Sequence, residues 1–331
     1  MPVYNGSQYL SETIHSIINQ TYSEFEIIII DDASNDNSID IISKFKNERI
    51  ILRQNDSNLG QAESENIGLR MAKGTYIARM DQDDLMMPDR LEKQVQFLDS
   101  HPDIAAVGSQ YYCIDSSGNL IKKLRWPVGI EANLFYIISG NVPIGDPGVL
   151  YRKDVILNLG GYSTKYIPSE DYDLWLRMYL NGYRCDNIAD FLTKYRIHSS
   201  QVSVVNNKKQ IENHNLAFIN FYNNLNKIKA NPEMINNYLN LLRNKENLAK
   251  NNIKTIFNIF FTLLNNFSIN NNLTNKSKRN IFIYFINSIK DKIAILDIIE
   301  IIKISSNNGV LHFDTLKILL GIIFLNILKV L

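Results

Sequence analysis

The chain has 331 residues, 45% hydrophobic and 10% aromatic, enough to bury one large core or two of ordinary size. Its formal net charge of +1 excludes the global basic field of a nucleic-acid binder. Two cysteines, Cys113 and Cys185, lie far apart without metal-ligand spacing, which excludes a structural zinc site and fits a reduced, cytoplasmic setting.

The charge is unevenly spread. From Asn206 onward 16 Lys and Arg face 7 Asp and Glu, against 19 and 27 before it. This predicts an acidic module over 1–205 and a basic one over 206–331. The start, Met1-Pro2-Val3-Tyr4-Asn5-Gly6, carries neither the basic nor the apolar stretch of a signal peptide.

In chain order, residues 8–20 place Leu10, Ile14, Ile17 and Ile18 on one helical face. The apolar run Phe25–Ile30 ends in Asp31-Asp32; its unbroken character predicts a parallel strand covered on both faces. A helix from Ser34 through Lys46, a strand at 50–53 and a helix at 61–72 follow. The strand at 75–80 stops at Met80-Asp81-Gln82-Asp83-Asp84, before Pro88 opens a helix at Asp89. Residues 104–109 and 148–152 read as strands, 154–159 as a short helix ended by Gly160-Gly161, and 171–181 as a helix closed by Gly182. The alternation predicts a doubly wound α/β sheet. Beyond Ser203, helical periodicity recurs in 210–228, 232–250, 252–266, 280–303 and 311–331. The apolar tract 316–331 is shorter than the ~20 residues a span needs and is interrupted by Lys317, Asn326 and Lys329. It reads as an interfacial or core-covering helix.

Four groups carry chemistry. Asp81, Asp83 and Asp84 crowd at a strand end, where they repel unless a cation lies between them; hard oxygen ligands suit Mg²⁺ or Mn²⁺. The competing reading is a solvated acidic turn before the next helix, with Gln82 a spacer. Asp32 could accept a hydrogen bond from a nucleobase or cap a turn with Ser34; Tyr4, after Pro2, could stack on a base or pack in the core. In Ser169-Glu170-Asp171-Tyr172-Asp173 one carboxylate faces the cleft as a general base, or all three serve the helix dipole. Arg196 and His198 share one side of an extended segment and could meet a diphosphate or a metal.

Taken in order, Pro2-Val-Tyr-Asn-Gly6, Ser16 to Ser38, Asn58-Leu-Gly60, Ala72-Lys-Gly-Thr-Tyr-Ile77, Met80 to Asp84, Glu170 to Arg177 and Tyr195-Arg-Ile-His198 resemble the family 2 glycosyltransferases with the GT-A fold over residues 1 to 205. The resemblance implies inverting transfer of a sugar from a nucleotide donor, usually a UDP-sugar, to a saccharide or lipid-linked acceptor in surface-polysaccharide assembly. It also implies roles. Asp32 would bind the base with Tyr4 stacking near it, Pro2 would belong to the same donor site, Asp81 would touch the ribose or sugar, and Arg196 the diphosphate. Asp83 and His198 would hold the metal, Mn²⁺ or Mg²⁺. Asp171 would be the base and Glu170 an acceptor-positioning group, with no insisted role for Asp84.

Two departures stand out. Relatives have an apolar strand before Pro-x-Tyr-Asn; its loss would leave unpaired backbone groups costing about 1–3 kcal/mol each, so a misassigned or truncated start is expected. Glu65 stands before Asn66, where a basic residue is common in relatives. The rivals are a metal-dependent nucleotidyltransferase, for which no Gly-rich basic phosphate loop is found, and a non-catalytic assembly module. The basic helical region suggests peripheral contact with the inner membrane, or an oligomer contact.

Overall fold

The computed structural model describes residues 1–227, 229–243, 253–271, 273–289, 305 and 308. The segments expected at 244–250, 290–303 and 311–331, including the apolar tract 316–331, lie outside the described residues. Two compact units form, one of residues 1–129 and 143–214, the other of 130–142 and the described residues from 215 onward. A single boundary at 205/206 was expected; the packing instead groups a segment from the middle of the chain with the C-terminal helices.

The first unit alternates strand and helix: β1 (Pro2–Val3), α1 (Leu10–Ile18), β2 (Ile27–Asp31), α2 (Ser38–Ser43), β3 (Ile50–Gln54), α3 (Gln61–Met71), β4 (Tyr76–Ala78), β5 (Leu85–Met86), α4 (Arg90–Ser100), β6 (Ile104–Ile114) and β7 (Leu120–Leu124). After α5 (Ile130–Ile138), which belongs to the second unit, come β8 (Leu150–Arg152), α6 (Lys153–Asn158), α7 (Glu170–Leu180), β9 (Arg184–Arg196), α8 (Val202–Val205) and the first part of α9 (Asn207–Asn226). The α/β architecture is the expected one, and its strand pairs are both parallel and antiparallel. Its strands fall into two sheets, however: parallel β1-β2-β3, and β4-β8-β6-β9-β5 with β7 beside β6.

Between the sheets lies a cleft of about 510 Å³, bordered by Glu26–Ile28 and Tyr76–Ala78 and covered by Leu69 and Leu91. The amino group of Met1 donates to Ile28 O at 2.9 Å, and its burial lowers its pKa to about 6.

The continuous Ile27–Ile30 run is covered on both faces because α1 and α3 supply the apolar sides. Leu10, Ile14, Ile17, Ile27, Ile29 and Met80 join one core cluster, each such side chain contributing roughly 1.5–3 kcal/mol by burial. The helix expected from Ser34 begins only at Ser38, because Ser34, Asp36 and Ser38 hold the loop at 5–7. Asn5 N–H donates to Ser34 Oγ (3.0 Å), Gly6 N–H to Ser38 Oγ (2.9 Å) and Ser7 N–H to Asp36 Oδ2 (3.0 Å).

The second unit packs α5 with α10 (Pro232–Arg243), α11 (Ile253–Asn271) and α12 (Asn275–Ile289). Phe257, Phe260, Phe282 and Phe285 form its aromatic centre, and Tyr238 Oη donates to Ile138 O at 2.7 Å. No helix among the described residues is long and apolar enough to cross a membrane.

Candidate active site

β4 delivers its chain end to the carboxylate turn. Met80 and Asp84 are buried and anchor the turn, and Thr13 Oγ1 on α1 donates to the carbonyls of Gln82 and Asp84, each at 2.9 Å. Asp81, Asp83 and Asp84 each bring one carboxylate oxygen to within 4.8 Å of the others. Asp84 Oδ1 accepts the Arg196 N–H at 2.8 Å, while its Oδ2 is buried and has no protein partner. Burial and the neighbouring carboxylates push the Asp84 pKa well up. Burial and Asp81 also raise that of Asp83, against the opposing pull of His198. Crowded hard oxygens with one orphaned buried atom fit a divalent Mg²⁺- or Mn²⁺-type cation.

Gln82, taken as a spacer, has a partner. Its side chain accepts from Tyr4 N–H (2.9 Å) and donates to Tyr4 O (3.2 Å). The amide therefore ties the carboxylate turn to β1, and Gly6 is needed beside it because a Cβ there would strike the Gln82 side chain. Tyr4 is 45% exposed and directly follows β1, which holds Pro2. Asp32 is more committed than its expected base-binding role requires. Its Oδ1 accepts from Asn55 Nδ2 and Leu59 N–H, and its Oδ2 from Gly60 N–H, each at 2.8 Å. Gly60 makes this turn at φ 87°, a region that favours glycine. Three of roughly four acceptor positions are thus filled by the protein.

Arg196 needs correction. Instead of offering its guanidinium to a diphosphate, it is 1% exposed and spends its donors internally. Nε donates to Asp83 O (2.8 Å), Nη1 to Ser116 O (3.3 Å) and Nη2 to Glu12 Oε2 (2.8 Å), and the group lies 4.3 Å over the Tyr9 ring. It is a latch holding the carboxylate turn against β9. His198, two residues on, does reach the cluster, with Nε2 2.8 Å from Asp83 Oδ2 and Nδ1 2.9 Å from Ser200 Oγ.

The start of α7 supplies the other carboxylates. Tyr172, Leu174, Trp175 and Met178 are buried and fix the helix. Asp173 leaves the contest for base, since its Oδ2 pairs with Arg177 Nε at 2.7 Å. Asp171 is only partly buried; burial raises its pKa against a hydrogen bond from Tyr172 N–H. Glu170 is buried with Oε2 unpartnered, and burial, then the Asp171 charge, pushes its pKa up to about 8.

Sequence reasoning missed Arg79 and Asp146. Arg79 follows β4 as one more polar strand residue, and the 139–148 loop carries no readable pattern. In the fold, Arg79 Nε lies 2.8 Å from Asp146 Oδ2, Nη2 2.8 Å from Glu65 Oε1 and Nη1 2.5 Å from Asp81 Oδ2. Glu65, the departure from a basic residue, thus partners a cation carried just past the end of β4. Burial would lower the Arg79 pKa, but Asp146, Asp81 and Glu65 hold it well above its ordinary value. Asp171 lies within electrostatic reach of Arg79, Glu65 and Asp146.

The Glu170 shift sets a pH dependence. Between pH 4.5 and about 8 an unfolded chain loses this proton while the native one keeps it, so Glu170 costs stability increasingly across that window. Glu170→Gln is therefore expected to raise Tm at pH 9 by about 3 °C or more beyond any gain at pH 5. Scanning calorimetry at the two pH values decides it, and an equal gain at both would contradict the assignment.

The model of the family described as Glycosyl transferase family 2 matches residues 1–160. Over 216 residues the chain is 36% identical to an uncharacterised glycosyltransferase of Methanocaldococcus jannaschii, covering 63% of this chain and 73% of that protein. Over 213 residues it is 32% identical to the UDP-Glc:alpha-D-GlcNAc-diphosphoundecaprenol beta-1,3-glucosyltransferase WfaP of Escherichia coli, covering 64% and 82%. Among solved structures, the mannosyltransferase PcManGT from Pyrobaculum calidifontis, in complex with GDP-Man and Mn²⁺, aligns with a TM-score of 0.54 at 15% identity, over 98% of this chain and 85% of that one. At that identity the likeness is one of fold.

Proposed function

Because the chain belongs to glycosyl transferase family 2, we propose that it moves a sugar from a UDP- or GDP-sugar onto a hydroxyl of a lipid-linked saccharide, inverting the anomeric carbon. One observation carries this reading: Asp81, the donor contact, and Asp146 are gripped by one buried guanidinium, Arg79, with Asp171, the proposed base, in its field. Two functional walls therefore meet at one point of the fold.

Each residue has a part. Tyr4 offers a ring face to the base, and Asp81 keeps one oxygen for the donor while Arg79 holds the other. Asp83, Asp84 Oδ2 and His198 would hold a Mn²⁺ or Mg²⁺ ion, which when bound offsets charge on the departing diphosphate. Asp171, its basicity raised by burial, takes the proton of the attacking hydroxyl. Glu170, protonated up to about pH 8, donates a hydrogen bond to the acceptor. Proton uptake on one side and charge neutralisation on the other suit in-line displacement without a covalent intermediate.

A lipid-linked acceptor is supported by the substrate in the name of the E. coli relative. We assign the catalytic role to the first unit. The basic region from residue 206 is assigned a peripheral contact with anionic lipid, consistent with its charge. A nucleotidyltransferase is not favoured by the family match.

Nucleoside diphosphate release, measured over a panel of UDP- and GDP-sugars with Mn²⁺ or Mg²⁺ and GlcNAc-diphosphoundecaprenol as acceptor, tests the reading. Release above background with at least one donor is expected. A folded chain that releases none, with or without acceptor, would contradict it.

A further inference from the structure

Arg79 is the least expected ionic feature of the first unit. Its side chain is 5% exposed, and it faces three carboxylates from three elements: Glu65 on α3, Asp81 after β4, and Asp146 in the short turn before β8. Among the described residues, no other Lys or Arg ion-pairs with any of the three. A buried cluster with this excess of negative charge is a poor stabilising device, because desolvating each ion costs more than one shared cation returns. A single Arg–carboxylate pair, or apolar side chains, would hold these elements together at lower cost.

What the cluster supplies is geometry. The Arg79 backbone is fixed on both sides: its N–H donates to Val149 O (3.0 Å), and its carbonyl accepts from Arg90 Nη2 (2.9 Å). Arg90, fully buried, also donates to Pro147 O (3.1 Å) and Val149 O (3.2 Å), clamping the Asp146 turn onto the same strand end. Tyr162 Oη donates to Asp146 Oδ1 at 3.3 Å, completing the support behind it. Held in this frame, the planar fork of Arg79 has its orientation set by Glu65 and Asp146 before it reaches Asp81. Asp81 is 27% exposed in its side chain, and Arg79 is the one cation that pairs with it among the described residues.

We propose that Arg79 is the positioning residue of the donor site, fixing the rotamer of Asp81 through Nη1 and registering it against Asp146. The inference rests on the assignment of Asp81 to the donor. A guanidinium is required, because a lysine ammonium is a single point charge that cannot present separate nitrogens to three carboxylates at once.

Calorimetric binding of UDP and of GDP, each with Mn²⁺, to the full chain tests it, with Tm recorded for every variant. Arg79→Met and Arg79→Lys are each expected to weaken binding of the better nucleotide about tenfold or more, the scale of one lost charge-assisted contact. Asp81→Asn should do the same, and Arg79→Met combined with Asp81→Asn should be no worse than Asp81→Asn alone. A residue that only stabilises the fold would lower Tm and leave the affinity of the folded fraction unchanged. If the Met variant does not fold, the Lys variant decides alone: wild-type affinity with lysine would overturn the role of the fork. Additive losses in the double variant would overturn the route through Asp81. Failure of the unsubstituted chain to bind either nucleotide would instead overturn the reading of the donor site, and this inference with it.

Discussion

Asp83→Asn is expected to lower metal-supported donor turnover on the order of 10²–10³-fold while leaving the protein folded. The amide keeps the shape and can still accept from His198 Nε2, now 2.8 Å from Asp83 Oδ2, so the change removes charge more than contact. The charge is what the site is short of room for. Burial and Asp81 hold the Asp83 pKa above its ordinary value, so ionising it costs stability increasingly as pH rises past the ordinary carboxylate range. The metal-free variant should therefore melt at the same or a higher temperature at pH 7, even as its activity falls. Removing Asp83 also relieves Asp84, whose own pKa it helps push up. Mn²⁺ titration followed by electron paramagnetic resonance gives the direct readout. Unchanged Mn²⁺ affinity together with unchanged turnover would remove Asp83 from the metal site. Gained stability with lost function is the signature of like charges gathered for a ligand.

Asp171→Asn is expected to reduce kcat for transfer about 10²–10⁴-fold, the range for loss of a general base. Binding of nucleotide with Mn²⁺ should stay within about twofold, because Asp171 belongs to α7 and not to the carboxylate turn. Single-turnover kinetics beside calorimetric nucleotide binding separate the two effects. A variant that keeps wild-type kcat would move the base elsewhere, with Glu170 the next candidate. Glu170 is the weaker choice on physical grounds: with a pKa of about 8 it carries its proton at neutral pH and suits donation. The steeper loss should therefore follow Asp171.

The parts of the site readable along the chain share a physical cause. β2 is announced by four consecutive isoleucines, since a strand covered on both faces needs apolar side chains in both directions. Asp32 and the Asp81–Asp84 turn stand where such strands stop, and Glu170 with Asp171 where a helix starts; an element's end is a local property of the chain. The second unit was legible as helices, but the membership of residues 130–142 in it was not, because helical periodicity does not say which neighbour covers the apolar face.

What local pattern left open is the pairing of buried polar groups. Arg196 reads as a cation beside a histidine, yet its guanidinium is used by Glu12, 184 residues away, and by the carbonyl of Asp83. Gln82 reads as a spacer and proves to be the bond between β1 and the carboxylate turn. Arg79 reads as one more strand residue and sits among three carboxylates. Family, α/β architecture and the two acidic clusters could be read from residue order, because strand and helix periods and their capping chemistry act over a few residues. Which carboxylate stays free, which cation is already spent, and how the two walls of the site are joined were decided by folding. A buried ion must find a partner wherever the chain brings one, and those partners here lie tens to hundreds of residues apart.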